Sequence, residues 1–162
     1  MGEAADRFAA RLKDLPVVGI DTMVFIYHME HHLRYAPLTE WLFAAVEAGT
    51  VRAVTGVVTL LEILVKPFQE RREDVATDYR AILTSFPHLE LVPVDGEAAY
   101  VAARLRAELG LQVPDALQLA CAQLGGATAW ITNDRTFRST PGLPVVLLED
   151  FAPAASEDQA TS

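Results

Sequence analysis

Four acidic residues stand where short apolar runs end or helical patterns lie: Asp21 in Val-Val-Gly-Ile-Asp21-Thr22, Glu62 in Thr-Leu-Leu-Glu62-Ile, Asp115 in Val-Pro114-Asp115-Ala-Leu, and Asp134 in Trp-Ile-Thr132-Asn133-Asp134. Carboxylates are the donors that hard divalent cations such as Mg²⁺ and Mn²⁺ prefer, and Mg²⁺ is commonly held by a few of them with waters and a substrate phosphate. Brought together, the four would repel one another until a cation arrived. With it they would form a site that activates water and stabilises the transition state and the leaving oxygen of phosphodiester hydrolysis. No cysteine–histidine array points to zinc of the finger type.

Each acid also has a plainer reading. Asp21 and Asp115 can cap helices, with Pro114 supporting a helix start. Glu62 can pair with Lys66 at i,i+4, and Asp134 can form an Asn-Asp turn. These suffice singly and are weak for the four together. Leu60, Leu61, Ile63 and Leu64 surround Glu62, so it is expected in a buried or cleft environment, where an unpaired carboxylate is costly. A helix N-terminus at Asp115 is expected to favour its ionised form.

The elements that would position these acids follow from hydrophobic patterning. Residues 17–20, 51–54, 89–92, 128–131 and 145–148 are short, apolar and mostly β-branched, as buried parallel strands are. Between them, Ala98, Val101, Ala102, Leu105 and Leu109 make one helical face, with Asp95 as N-cap and Gly110 as stop. Trp41, Leu42, Ala45 and Val46 mark another helix, ended by Gly49. Val57 to Val65 is apolar on nearly every side, which predicts a buried helix interrupted at Pro67. Ala5, Phe8, Ala9 and Leu12 suggest a short N-terminal helix outside the sheet. Alternating strands and helices imply an α/β domain around a mainly parallel sheet, whose ligands bind beyond the carboxyl ends of the strands.

The chain has 162 residues, 51% hydrophobic and 22% charged, which fits one globular domain. We assign that domain to residues 1–151 and expect residues 152–162, poor in apolar side chains, to be a disordered tail. No apolar run approaches the length of a membrane span, and the acidic, alanine-rich start lacks the marks of a secretory signal. The single cysteine, Cys121, reads as core filling, and a reducing cytoplasm is the natural compartment. A net charge of −9 counts against a protein that grips nucleic acid through a basic stripe, but an acidic nuclease can let cations meet the phosphate.

Taken in order, Asp21-Thr22 after a strand, Glu62 in Thr-Leu-Leu-Glu62-Ile, Pro114-Asp115-Ala-Leu-Gln-Leu-Ala, and Thr132-Asn133-Asp134-Arg135-Thr136-Phe137 resemble PIN domains, particularly VapC-type toxin nucleases. The resemblance covers about Val17 to Phe151. It implies an αβα sandwich with a central mainly parallel sheet, and a Mg²⁺ or Mn²⁺ endoribonuclease held by Asp21, Glu62, Asp115 and Asp134. It further implies a supporting hydrogen bond from Thr132, less directly from Thr22, a homodimer, and an antitoxin partner. The substrate expected is a single-stranded RNA segment, cleaved to leave a 5′-phosphate and a 3′-hydroxyl. The alternative is a catalytically idle PIN-like module that binds RNA or protein, against which the complete acidic set argues.

Other signals are weaker. His28, His31 and His32 lack the His-Glu-x-x-His spacing of metalloproteases and read as a solvated helix end. Arg71 and Arg72 read as a solvated helix face, or as RNA contacts together with Lys66, Arg135 and Arg138. Met23 stands where a haloacid-dehalogenase-type phosphatase would carry a second aspartate, and no phosphate-binding P-loop is present.

Overall fold

The computed structural model describes residues 1–137 and 140–155. Five strands form one sheet: β1 (Val17–Ile20), β2 (Arg52–Gly56), β3 (Leu89–Val92), β4 (Ala129–Thr132) and β5 (Val145–Leu147). Every pairing is parallel and the order is β3-β2-β1-β4-β5. The chain thus builds outward from β1 in one direction through β2 and β3, then returns to place β4 on the other side of β1. The switch point lies between β1 and β4, where the order reverses.

Among the described residues, seven α-helices flank the sheet: α1 (Glu3–Leu12), α2 (Thr22–Met29), α3 (Ala36–Glu47), α4 (Val57–Gln69), α5 (Glu73–Ser85), α6 (Gly96–Leu109) and α7 (Val113–Leu124). The strand pleat sends alternate residues to opposite faces. Val18, Ile20, Ala53, Ala129, Ile131 and Val146 join Phe8, Val24, Phe25, Leu38, Leu42 and Leu83 in one core. Val54 and Trp130 join Ala98, Ala102, Leu105, Ala116, Leu119 and Ala120 of α6 and α7 in the other. The result is the expected αβα sandwich around a parallel sheet.

Local chemistry sets several element ends. Asp95 caps α6, its side chain accepting from Ala98 N–H at 2.9 Å, and Gly110 ends the helix at φ 68, a left-handed turn that glycine adopts without penalty. The N-terminal helix forms as α1 and buries Ala5, Phe8 and Leu12. Phe8 lies edge-on between Trp41 of α3 and Phe151, at 5.8 and 5.5 Å.

The helix α4 departs from expectation. It buries only Thr59, Ile63 and Pro67, and leaves Leu61 64%, Val65 44% and Phe68 55% exposed. Apolar residues all round predict burial only when neighbours cover every side, and α4, which follows β2, leaves its outer face open. Nor does Pro67 stop it: the helix runs to Gln69 with the proline buried inside it.

Of the histidine segment, His31 and His32 are exposed, as a solvated helix end is, while His28 is half-buried. His28 packs on Phe43 at 4.5 Å, and His32 lies 4.9 Å from Tyr27 and 4.8 Å from Tyr35. Of residues 152–162, the described part begins packed: Ala152 meets the core and Arg34 Nε donates to Pro153 O at 3.3 Å. Residues 156–162 lie outside the described residues. No helix among the described residues is long and apolar enough to cross a membrane.

Candidate active site

Parallel connectivity puts the acids at one edge. Asp21 follows β1 directly, Thr132 ends β4 and Asp134 follows it, and Glu62 lies in the helix that leaves β2. The helix α7 leads at its C-terminus into the start of β4, so its N-terminal turn, with Asp115, must lie toward the carboxyl ends of the strands.

Asp21 is both cap and candidate ligand. Its Oδ1 accepts from Thr22 N–H at 2.8 Å as N-cap of α2, and its Oδ2 accepts from Thr132 Oγ1 at 2.6 Å across the switch point. Its own N–H donates to Ile131 O at 2.9 Å, stitching β1 to β4. The residue is 7% exposed, and burial pushes its carboxyl up to about 6. The two hydrogen bonds pull it back, and the charges of Asp115 and Glu62 raise it further. Repulsion among the acids is therefore present but secondary to desolvation.

Asp115 occupies the first turn of α7 rather than its cap, which is Gln112. Its carboxyl is also raised, first by burial and then by the charges of Asp134 and Glu62. The N-terminal helix position expected to lower it is outweighed. Asp134 is half-buried and works locally: its Oδ1 accepts from Thr136 N–H at 2.9 Å and Thr136 Oγ1 at 2.8 Å, while its own N–H donates to Thr132 Oγ1 at 3.0 Å.

Glu62 is exposed rather than buried, a consequence of the open face of α4. Its carboxylate is nevertheless anchored inward, with Oε1 accepting from Thr22 Oγ1 at 2.9 Å and from Gln118 Nε2 at 3.2 Å. Lys66 does not pair with it; Lys66 Nζ meets Glu30 at 3.0 Å instead. Thr22 thus touches both acids, through its backbone to Asp21 and its hydroxyl to Glu62.

Three buried polar residues behind the acids escaped the sequence reading: Thr55, Thr59 and Gln118, all at most 1% exposed. The signals were present. Gln118 follows Asp115 by three residues on α7 and Thr59 precedes Glu62 by three on α4, spacings that share a helix face. Gly56, at the start of α4, gives Gln118 room: a Cβ there would come within 3.0 Å of Gln118 Oε1 and 3.1 Å of Cys121 Cβ.

Of the basic candidates, Arg71 and Arg135 are exposed, Arg72 pairs with Asp74 at 3.0 Å, and Arg138 lies outside the described residues. Lys66 and Arg72 line a cavity of about 380 Å³ that also reaches Glu62, Ile26, Met29 and Tyr79.

The donor set suits a hard divalent cation, since every candidate ligand is a carboxylate, and Asp21 and Asp115 carry charge that burial disfavours. The side chains are not drawn into one cage: no three acidic, histidine or cysteine groups among the described residues lie close enough to hold a single ion.

An all-parallel α/β domain with acids at its switch point places the protein among enzymes and binding proteins that work beyond the strand ends. The PIN domain family model matches residues 18–143, and the chain belongs to that family. Comparison with curated protein sequences gives no match. Among solved structures, the chain is similar to a toxin–antitoxin complex from Klebsiella pneumoniae, at 25% identity and TM-score 0.60, over 81% of this chain and 97% of the other. It is similar to VapBC-5, of the VapBC family of toxin–antitoxin systems, from Mycobacterium tuberculosis, at 27% identity and TM-score 0.50, over 82% and 97%. It shares the fold of FitAcB from Neisseria gonorrhoeae, at 18% identity and TM-score 0.62, over 82% and 98%.

Proposed function

We propose that this chain is a metal-dependent endoribonuclease that hydrolyses single-stranded RNA, and that it is the toxin of a toxin–antitoxin pair. The observation that carries the reading is Asp21: a carboxylate 7% exposed, at the switch point, pushed up to about 6, with Asp115 and Glu62 close enough for their charges to be felt. Burying an acid beside other acids costs stability, and such costs gather at functional sites. A cation would offset this one.

PIN nucleases generally use divalent metal ions. Mg²⁺ usually keeps several waters and needs only one or two carboxylates, which suits acids that ring a site without closing on one point. Bound there, Mg²⁺ or Mn²⁺ would neutralise charge at the phosphodiester and supply a water nucleophile at neutral pH. The chain's own residues hold the ligands. Thr132 and the Thr22 N–H orient Asp21, the Thr22 hydroxyl holds Glu62, and Asp115 and Asp134 stand half-buried at the rim. The cavity between Glu62 and Tyr79 supports approach of a flexible strand along Lys66.

The test is cleavage of structured and unstructured RNA with Mn²⁺, Mg²⁺ or chelator, beside a variant lacking all four acids. Metal-dependent cutting of the unstructured RNA, absent from the variant, is expected. The second reading is a catalytically idle PIN-like module that binds RNA or protein. That reading wins if RNA is bound and never cut.

The similarity to the Klebsiella pneumoniae toxin–antitoxin complex and to VapBC-5 from Mycobacterium tuberculosis supports an antitoxin partner. A small reading frame beside this gene whose product co-purifies with the chain is the expected finding. For the homodimer, the exposed apolar outer face of α4, with Leu61, Val65 and Phe68, is the supported contact. Sedimentation as a monomer at high concentration would reject it.

A further inference from the structure

The polar cluster behind Glu62 is oriented in one direction. Thr55 Oγ1 donates to Ile20 O at 2.8 Å, so the 2.8 Å contact between Thr55 and Thr59 must be donated by Thr59. Thr22 Oγ1 donates to Glu62 Oε1 at 2.9 Å. The hydrogens of Thr22 and Thr59 are then both committed, and their oxygens, 3.0 Å apart, face each other as acceptors. Both accept from the one group with two hydrogens to give, Gln118 Nε2, which is 2.7 Å from each. The amide cannot be reversed, because its Oε1 accepts from Gly56 N–H at 3.3 Å.

This wiring decides where a solvent-facing glutamate points. Glu62 sits on the open side of α4, where a long side chain ordinarily samples several rotamers. Its Oε1 is held by the Thr22 hydroxyl of α2, while Gln118 Nε2 of α7, whose two hydrogens go to Thr22 and Thr59, lies 3.2 Å from it as a longer, shared contact. Without Gln118, the Thr22 hydroxyl has an alternative acceptor 3.0 Å away in Thr59, and taking it releases Glu62.

We propose that Gln118 is a positioning residue of the acidic site, whose amide commits the Thr22 hydroxyl to Glu62 and so holds that carboxylate toward Asp21. This rests on the divalent-cation reading above. Gln118 touches neither cation nor substrate; it acts through Thr22, as outer partners of metal ligands do.

The experiment is Mn²⁺ binding to the purified full chain, followed by electron paramagnetic resonance, with metal-free thermal melts alongside. Gln118→Leu and Thr22→Val should each weaken Mn²⁺ by about 10-fold, the lower end for lost outer-shell partners. The double variant should be no more than about twofold worse than either, because both changes break one chain of bonds. Thr22→Ser should restore binding. Thr59→Val is the decisive control, since it is equally buried and also loses a Gln118 bond, but on the branch leading to Thr55. It should melt earlier, as Gln118→Leu does, yet bind Mn²⁺ within about twofold of wild type. Should Gln118→Leu fail to fold, Gln118→Met, closer in length and flexibility, serves in its place. Wild-type affinity in the Gln118 variant, equal loss in Thr59→Val, or additive losses in the double variant would each overturn the proposal while leaving the cation reading intact. A wild-type chain that binds no Mn²⁺ rejects the cation reading and this proposal with it.

Discussion

Thr132 and Asp21, 111 residues apart, meet across the β1–β4 switch point in a buried hydrogen bond of 2.6 Å. The same hydroxyl accepts from Asp134 N–H at 3.0 Å, so one side chain ties together two of the acids. Removing it should therefore be felt twice. Thr132→Val leaves a buried carboxylate short of a donor and should cost roughly 1.5–3 kcal/mol, the scale for hydrogen bonds to charged groups. Urea unfolding measures this, and Thr132→Ser should recover most of it. A valine variant as stable as wild type would show the bond to be idle.

For Asp21→Asn, stability and cleavage should part company. The folded carboxyl is raised to about 6, mainly by burial. A raised folded value means that the relative stabilisation is fully present below the unfolded carboxylate range and is lost as pH rises through about 6. Each pKa unit is worth about 1.4 kcal/mol, so the ionised aspartate costs the metal-free fold on the order of 3 kcal/mol near neutrality. In chelator, the asparagine variant should melt later than wild type at pH 7.5, with the gap closing toward pH 4, and should cut no RNA. If it is less stable at both pH values and its folded fraction still cuts, Asp21 is a helix cap alone.

Product ends report the nucleophile. Water attack assisted by a divalent cation leaves a 5′-phosphate and a 3′-hydroxyl. End-labelled RNA should give these with Mn²⁺ or Mg²⁺ and nothing with chelator. A 2′,3′-cyclic phosphate, or cutting that survives chelator, would assign the attack to the 2′-hydroxyl and leave the acids without their role.

Lys66 tests the route of the strand. Its pair with Glu30 is exposed, with side chains 65% and 48% accessible, and such pairs contribute at most about 1 kcal/mol. A phosphate can therefore take the place of Glu30. Lys66→Ala should raise KM several-fold with kcat nearly unchanged, and should lower the salt dependence of binding by about one phosphate contact. A fall in kcat at constant KM would place Lys66 in the chemistry instead.

What the sequence determined was everything carried by neighbours in the chain. Short β-branched runs, helix caps such as Asp95 and stops such as Gly110 are local signals, and the parallel topology they imply sends Asp21, Asp115 and Asp134 to one edge of the sheet. Tertiary structure decided what depends on distant partners. The apolar run of α4 reads as buried because its side chains are greasy on all sides, but burial is a property of what packs against them, and Leu61, Val65 and Phe68 on its outer face stay exposed. The helix N-terminus argues for an ionised Asp115, whereas desolvation, which no local pattern reports, pushes it the other way. Gln118 lies 96 residues from Thr22 and 56 from Glu62, and it could be seen to join them only once α2, α4 and α7 had met at the end of the sheet. Local propensity fixes where elements start and stop; desolvation and long-range hydrogen bonding, which need the assembled core, decide which of their side chains become a site.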